Sequence, residues 1–231
     1  IGLSLNPSTG VISGSPSQFV ISHSVTIKAF NQVSDLSVTL TFTVLTSITS
    51  FSYPQTVYVL AKDQSFSVTP IVDGDDLSFS ITSGALPTGL TLNESTGVIS
   101  GIPSQSVISQ SVTIKVSNEV SDRSFSLSFT VLTPISSFSY PQSSYVLSKN
   151  HPFSVSPSVN GDGLSFSIIS GSLPIGLSLN PSNGVISGIP SQSTSSQSVT
   201  IKAFNEVSNQ SFSLSFTVLQ SITSFSYSQS S

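Results

Sequence analysis

The stretch Ser124-Phe125-Ser126-Leu127-Ser128-Phe129-Thr130-Val131 decides the fold. Apolar and hydroxyl residues alternate at every step, which predicts an extended strand with one face buried and the other lined by hydroxyls. Ser211 to Val218 repeats the stretch, and Ser37 to Val44 keeps its pattern. The outward hydroxyls are then Ser124, Ser126, Ser128 and Thr130 in one copy, and Ser211, Ser213, Ser215 and Thr217 in the next. The same alternation runs through Leu77, Phe79 and Ile81 and through Val112, Ile114 and Val116. Helical periodicity is absent.

The recurrence extends to the whole chain. Gly2-Leu3, Gly89-Leu90 and Gly176-Leu177 are spaced by 87 residues, as are Phe51-Ser52-Tyr53, Phe138-Ser139-Tyr140 and Phe225-Ser226-Tyr227. No insertion or deletion breaks the register, so internal repetition is the primary fact about the sequence. The expected organisation is the back part of one repeat at 1–47, complete repeats at 48–134 and 135–221, and the first strand of another at 222–231. A chain that starts and stops inside its own repeat is expected to come from a longer parent. Each repeat reads as about seven short strands separated by turn signals such as Asp73-Gly74-Asp75 and Asn160-Gly161-Asp162. That pattern fits an all-β two-sheet sandwich. Val131-Leu132-Thr133-Pro134-Ile135 leaves almost no linker between copies, so end-to-end modules with restricted bending are expected.

Composition supports a folded β protein. Only 7% of the 231 residues are charged and about a quarter are Ser, yet 37% are apolar, too many for a disordered Ser-rich tract. The net charge of -4 and the six scattered basic residues argue against nucleic acid as a partner. No apolar run approaches the roughly 20 residues that span a bilayer. With no Cys in the chain, disulfide frameworks and Cys-based metal sites are excluded.

The middle of each repeat carries Leu86-Pro87-Thr88-Gly89-Leu90-Thr91-Leu92-Asn93-Glu94-Ser95-Thr96-Gly97-Val98-Ile99-Ser100-Gly101-Ile102-Pro103, with the same frame at 173–190 and 2–16. Pro87 and Gly89 set a bend, Leu90 and Leu92 point into the core, and Asn93 to Gly97 form a hairpin turn in which Gly supplies positive φ. This segment resembles the mark of the Putative Ig domain family, related to cadherin-like and dystroglycan-type modules. The resemblance implies an Ig-like fold on surface-exposed, often repetitive proteins, and no enzymatic activity. Some cadherin-like relatives bind calcium between domains; where they often carry an acidic residue, this sequence has Asn31, Asn118 and Asn205.

Residues that could carry chemistry are few. His23 and His151 occupy non-equivalent repeat positions and read as loop residues. Asp73, Asp75 and Asp76 form the one acidic cluster, either a solvated turn or a cation site, and copy three has Asn160, Asp162 and Gly163 instead. No His–Asp partner accompanies any Ser, so no catalytic residue, cofactor or metal ligand is assigned. Lys28, Lys115 and Lys202 recur at one outward strand position that suits edge protection or a lateral contact. Asn93-Glu94-Ser95 and Asn209-Gln210-Ser211 are acceptor patterns for N-linked sugar in expected turns, while Pro blocks the pattern after Asn6 and Asn180. The Ser and Thr rows either hydrate the surface or carry O-linked sugar. Phe19-Val20-Ile21, Val107-Ile108 and Thr194-Ser195 mark the most variable loop.

Together these features point to a non-enzymatic structural repeat protein, extracellular or on the cell surface, building stalks, filaments or a coat by self-association, with covalent glycans as an open alternative to bare hydroxyl rows. An adhesin or glycan-binding module is the alternative. It would need exposed aromatic residues such as Tyr58 and Tyr145, which otherwise pack inside their domains.

Overall fold

The computed structural model describes residues 2–222 and 224–226, so the strand expected over 222–231 falls mostly outside the described residues. The described chain is all-β. The N-terminal portion holds β1 (Leu3–Leu5), β2 (Ile12–Gly14), β3 (Val20–Phe30) and β4 (Asp35–Val44). The middle repeat runs through β5 (Ser50–Ser52), β6 (Val57–Ala61), β7 (Phe66–Val68), β8 (Ile71–Asp73), β9 (Ser78–Gly84), β10 (Leu90–Leu92), β11 (Ile99–Gly101), β12 (Val107–Ser117) and β13 (Asp122–Leu132). The third repeat follows with β14 (Phe138–Ser139), β15 (Ser144–Ser148), β16 (Phe153–Val155), β17 (Ser158–Val159), β18 (Ser165–Gly171), β19 (Leu177–Leu179), β20 (Ile186–Gly188), β21 (Thr194–Phe204) and β22 (Asn209–Leu219).

Sheet order is the same in both. The middle repeat forms sheets β6-β13-β12-β9, β10-β11-β7 and β5-β8; the third forms β15-β22-β21-β18, β16-β20-β19 and β14-β17. Every hydrogen-bonded sheet stays within one 87-residue stretch. Nine strands stand where the pattern suggests about seven, because several, β5, β8, β14 and β17 among them, are only two or three residues long, too short for a repeated alternation to mark each one separately. The pairing of β15 with β22 is parallel, while β21 with β22 and β18 with β21 are antiparallel.

By spatial clustering the chain forms two compact units. The first comprises residues up to Tyr58, Ser65–Ile102 and Ser109–Phe129; the second comprises Val59–Gln64, Pro103–Ile108 and residues from Thr130 onward. In the second unit, Phe166, Ile186, Val199, Ile201, Ala203, Leu214 and Phe216 are buried together. In the first, Phe79, Ile99, Val112, Ile114, Val116, Leu127 and Phe129 are the equivalents. The alternation of the 124–131 stretch is therefore realised side chain by side chain, each fully buried Leu or Phe contributing roughly 1.5–3 kcal/mol.

The motif turn explains its own Gly. Asn93 Oδ1 accepts from the backbone N–H of Ser95 and of Thr96, both at 3.0 Å, and Gly97 takes φ +70°. A Cβ on Gly97 would lie 2.6 Å from the ring of Phe79, and one on Gly184 would lie 2.8 Å from the ring of Phe166. These two glycines are required twice, by their positive φ and by the aromatic ring pressed against them. Beside each turn a tyrosine closes the structure. Buried Tyr53 donates its hydroxyl to Gly97 O at 2.6 Å, and buried Tyr140 donates to Gly184 O at 2.5 Å.

Candidate functional site

The segments that lead into the complete repeats are held by a recurring network of side-chain hydrogen bonds. Ahead of the third repeat, Asn205 Nδ2 donates to Thr133 O at 3.1 Å and to Asp162 O at 2.8 Å. Its Oδ1 accepts from Val207 N, Ser208 N and the Ser208 hydroxyl. The Ser208 hydroxyl in turn accepts from Ile135 N at 2.7 Å. The same set recurs ahead of the middle repeat. Asn118 Nδ2 donates to Thr46 O and to Asp75 O, both at 2.9 Å, its Oδ1 accepts from Val120 N, Ser121 N and the Ser121 hydroxyl, and Ser121 Oγ accepts from Ile48 N at 2.7 Å. One amide side chain thus satisfies its own hairpin and fastens the incoming chain. Ile48 and Ile135, whose N–H groups are fastened in this way, are buried.

A carboxylate completes each clasp. Asp75 Oδ2 accepts from Thr46 N at 3.2 Å, and Asp162 Oδ2 accepts from Thr133 N at 2.9 Å. Asp162 also accepts from the Ser106 hydroxyl at 2.6 Å. These bonds, the Ser106 hydroxyl foremost and Thr133 next, hold the Asp162 carboxyl below the usual carboxylate range.

The other candidates scatter. Asp73 accepts from the Thr49 hydroxyl at 2.7 Å, and Asp76 sits at φ +53°. No group of three His, Cys, Asp or Glu side chains gathers among the described residues. His23 is not in a loop: it lies in β3 opposite Phe42 and is exposed, whereas His151 follows a turn with its Nδ1 3.0 Å from Lys149 O. The variable segment is likewise the start of long, bulged strands, with Phe19 and Ile21 about half exposed and Ile108 at 80%. Lys28 and Lys115 pair at 2.7 Å with Asp35 and Asp122, and the hydrogen bond of Lys115, then its charge, lower the Asp122 carboxyl. Lys202, opposite Ser211 and with Asn209 where the other two hairpins carry an acid, instead lies over the Phe204 ring at 5.4 Å.

Both aromatic candidates pack. Tyr58 is buried and stacks on Phe129 at 5.5 Å; Tyr145 is half-buried and stacks on Phe216 at 5.6 Å. Of the hydroxyl rows, Ser124, Ser126, Ser211 and Ser213 are exposed, while Ser128, Thr130, Ser215 and Thr217 are half-buried. Ser126 lies 3.0 Å from the Thr113 hydroxyl and Ser213 3.0 Å from that of Thr200, so the rows are cross-strand ladders as well as surface. Asn93 is exposed in its turn, and Asn209 is the exposed first residue of β22.

The model of the family described as Putative Ig domain matches residues 45–134 and again 130–220. The chain belongs to this family. Its fold is that of tandem Ig-like structures. Drosophila OTK extracellular domains 3–5 align at 14% identity over 94% of this chain and 78% of that chain, with a TM-score of 0.54. Murine CEACAM1b aligns at 13% identity over 74% of this chain and 100% of that chain, with a TM-score of 0.53. Sidekick-1 immunoglobulin domains 1–4 align at 10% identity over 94% and 63%, with a TM-score of 0.52. No curated protein matches the chain. Within this Ig frame, Asn118 and Asn205 occupy the place where the cadherin-like resemblance implies an acid, and here they hold backbone carbonyls through their amide nitrogen. A carboxylate has no N–H to offer there. Sequence reading missed this role; its signal was the recurring Asn-x-Val-Ser of 31–34, 118–121 and 205–208.

Proposed function

We propose that this chain is part of a non-enzymatic structural repeat protein of the cell exterior. Modules at 48–134 and 135–221 are its units of folding, and arrays of them build stalks, filaments or a surface coat. The observation that carries the reading is the clasp repeated on the incoming segments at Thr46–Ile48 and Thr133–Ile135. A protein whose repeats each fasten the chain that enters them is suited to bearing load along an array. The low charge supports self-association, because few like charges oppose lateral contact. Electron microscopy of the native material tests the proposal: long thin assemblies are expected, and compact single particles would overturn it. A glycan array separates it from the adhesin reading. With Tyr58 and Tyr145 stacked on core Phe residues, no binding is expected.

A further inference from the structure

The tip of the β21–β22 hairpin lacks the acid that both of its counterparts carry. Phe204 and Asn209 are directly opposed across the strands, as are Lys202 and Ser211. Opposed residues, and residues two apart on a strand, share one face. The intervening Val199, Ile201 and Ala203 are buried, so Lys202, Phe204, Asn209 and Ser211 all stand on the outer face. In the middle repeat the same four positions are Lys115, Ser117, Asp122 and Ser124, and in the first they are Lys28, Phe30, Asp35 and Ser37. Both of those hairpins close with a Lys–Asp ion pair at 2.7 Å. The third has given up the acid for Asn209-Gln210-Ser211, while keeping an aromatic ring immediately beside it.

We propose that Asn209 carries an N-linked sugar whose first ring lies against Phe204. This rests on the exterior location proposed above. The sugar donor is a lipid-pyrophosphate-linked oligosaccharide. The Asn209 amide nitrogen bonds to the sugar's anomeric carbon and loses a proton, the bond from that carbon to phosphate oxygen breaks, and the lipid pyrophosphate leaves. On the folded chain the apolar C–H face of the attached ring covers the part of the half-buried Phe204 ring that stays exposed, over which Lys202 Nζ also lies at 5.4 Å. The other acceptor pattern has a different setting. Asn93 sits in a turn with its carbonyl oxygen engaged by Ser95 N and Thr96 N.

The test uses the full chain secreted from a eukaryotic host, analysed by glycopeptide mass spectrometry and by melting before and after enzymatic removal of the glycan. Asn209 is expected to be occupied, and removal is expected to lower the melting temperature by ~4 °C. In Phe204→Ser, which installs the residue the middle repeat already has at Ser117, glycan removal should produce no shift. An unmodified Asn209 on secreted chain overturns the acceptor, and an equal shift with and without the ring overturns the stacking. Recovery of the native protein from the cytoplasm would instead overturn the location on which both rest.

Discussion

The two clasps are copies of one another with a single addition. Ahead of the middle repeat, Asp75 has one partner in the incoming segment, the Thr46 N–H at 3.2 Å. Ahead of the third, Asp162 holds the Thr133 N–H at 2.9 Å and also receives the Ser106 hydroxyl, which itself lies 2.9 Å from the Thr133 hydroxyl. The position of Ser106 is Phe19 one repeat earlier, a half-exposed residue with no hydroxyl to offer. The amide-centred part of the clasp is therefore the same in both copies, while its hydroxyl extension is set by one residue of the most variable segment. Variation there alters how firmly a carboxylate is held without touching the frame.

Equality of the shared part is the first thing to break. Asn118→Ala and Asn205→Ala should each lower the unfolding free energy by about 2–3 kcal/mol in urea titrations, since each strips partners from half-buried backbone groups. A gap between them of more than about 1 kcal/mol would show that the two clasps are not equivalent. The added hydroxyl should sharpen the contrast in acid. Asp162 in the folded chain stays ionised to lower pH than in the unfolded chain, whose carboxylates titrate near ~4. Its contribution is complete above that value and is lost as pH falls through the lower, folded one. Urea midpoints measured across this window should fall less steeply in Ser106→Ala than in the parent chain; parallel curves would remove the hydroxyl from the account. The effect is modest because the carboxylate is largely solvated. Smallest of all, Phe19→Ser should raise the thermal stability of the first unit by about 0.5 kcal/mol by giving Asp75 the partner it lacks, and no gain by calorimetry would mean that the segment around residue 19 does not present its side chain as Ser106 does.

The sequence made long-period and local features legible. Alternation over Ser124–Val131 named the buried residues Leu127, Phe129 and Val131 one by one, because a strand's period of two leaves no freedom about which face each side chain joins. The turn from Asn93 to Gly97 was equally readable, since its hydrogen bonds close within three residues. The clasp was not. Asn118 bonds Thr46 from 72 residues away, and nothing in the local pattern distinguishes an amide that caps its own hairpin from one that also reaches a distant backbone. The same holds for the buried hydroxyls of Tyr53 and Tyr140, whose carbonyl partners lie 44 residues on. His23 was misplaced into a loop because the bulge in β3 interrupts the alternation just before it.

Those two tyrosines give the molecule an internal gauge. The chain has no Trp, so its near-ultraviolet signal comes chiefly from five phenols. Burial pushes the ionisation of Tyr53 and Tyr140 far above the ordinary range, one in each complete repeat. In alkali these two rings remain protonated for as long as their own hairpin turns stay shut, so each newly formed phenolate among them counts one opened module.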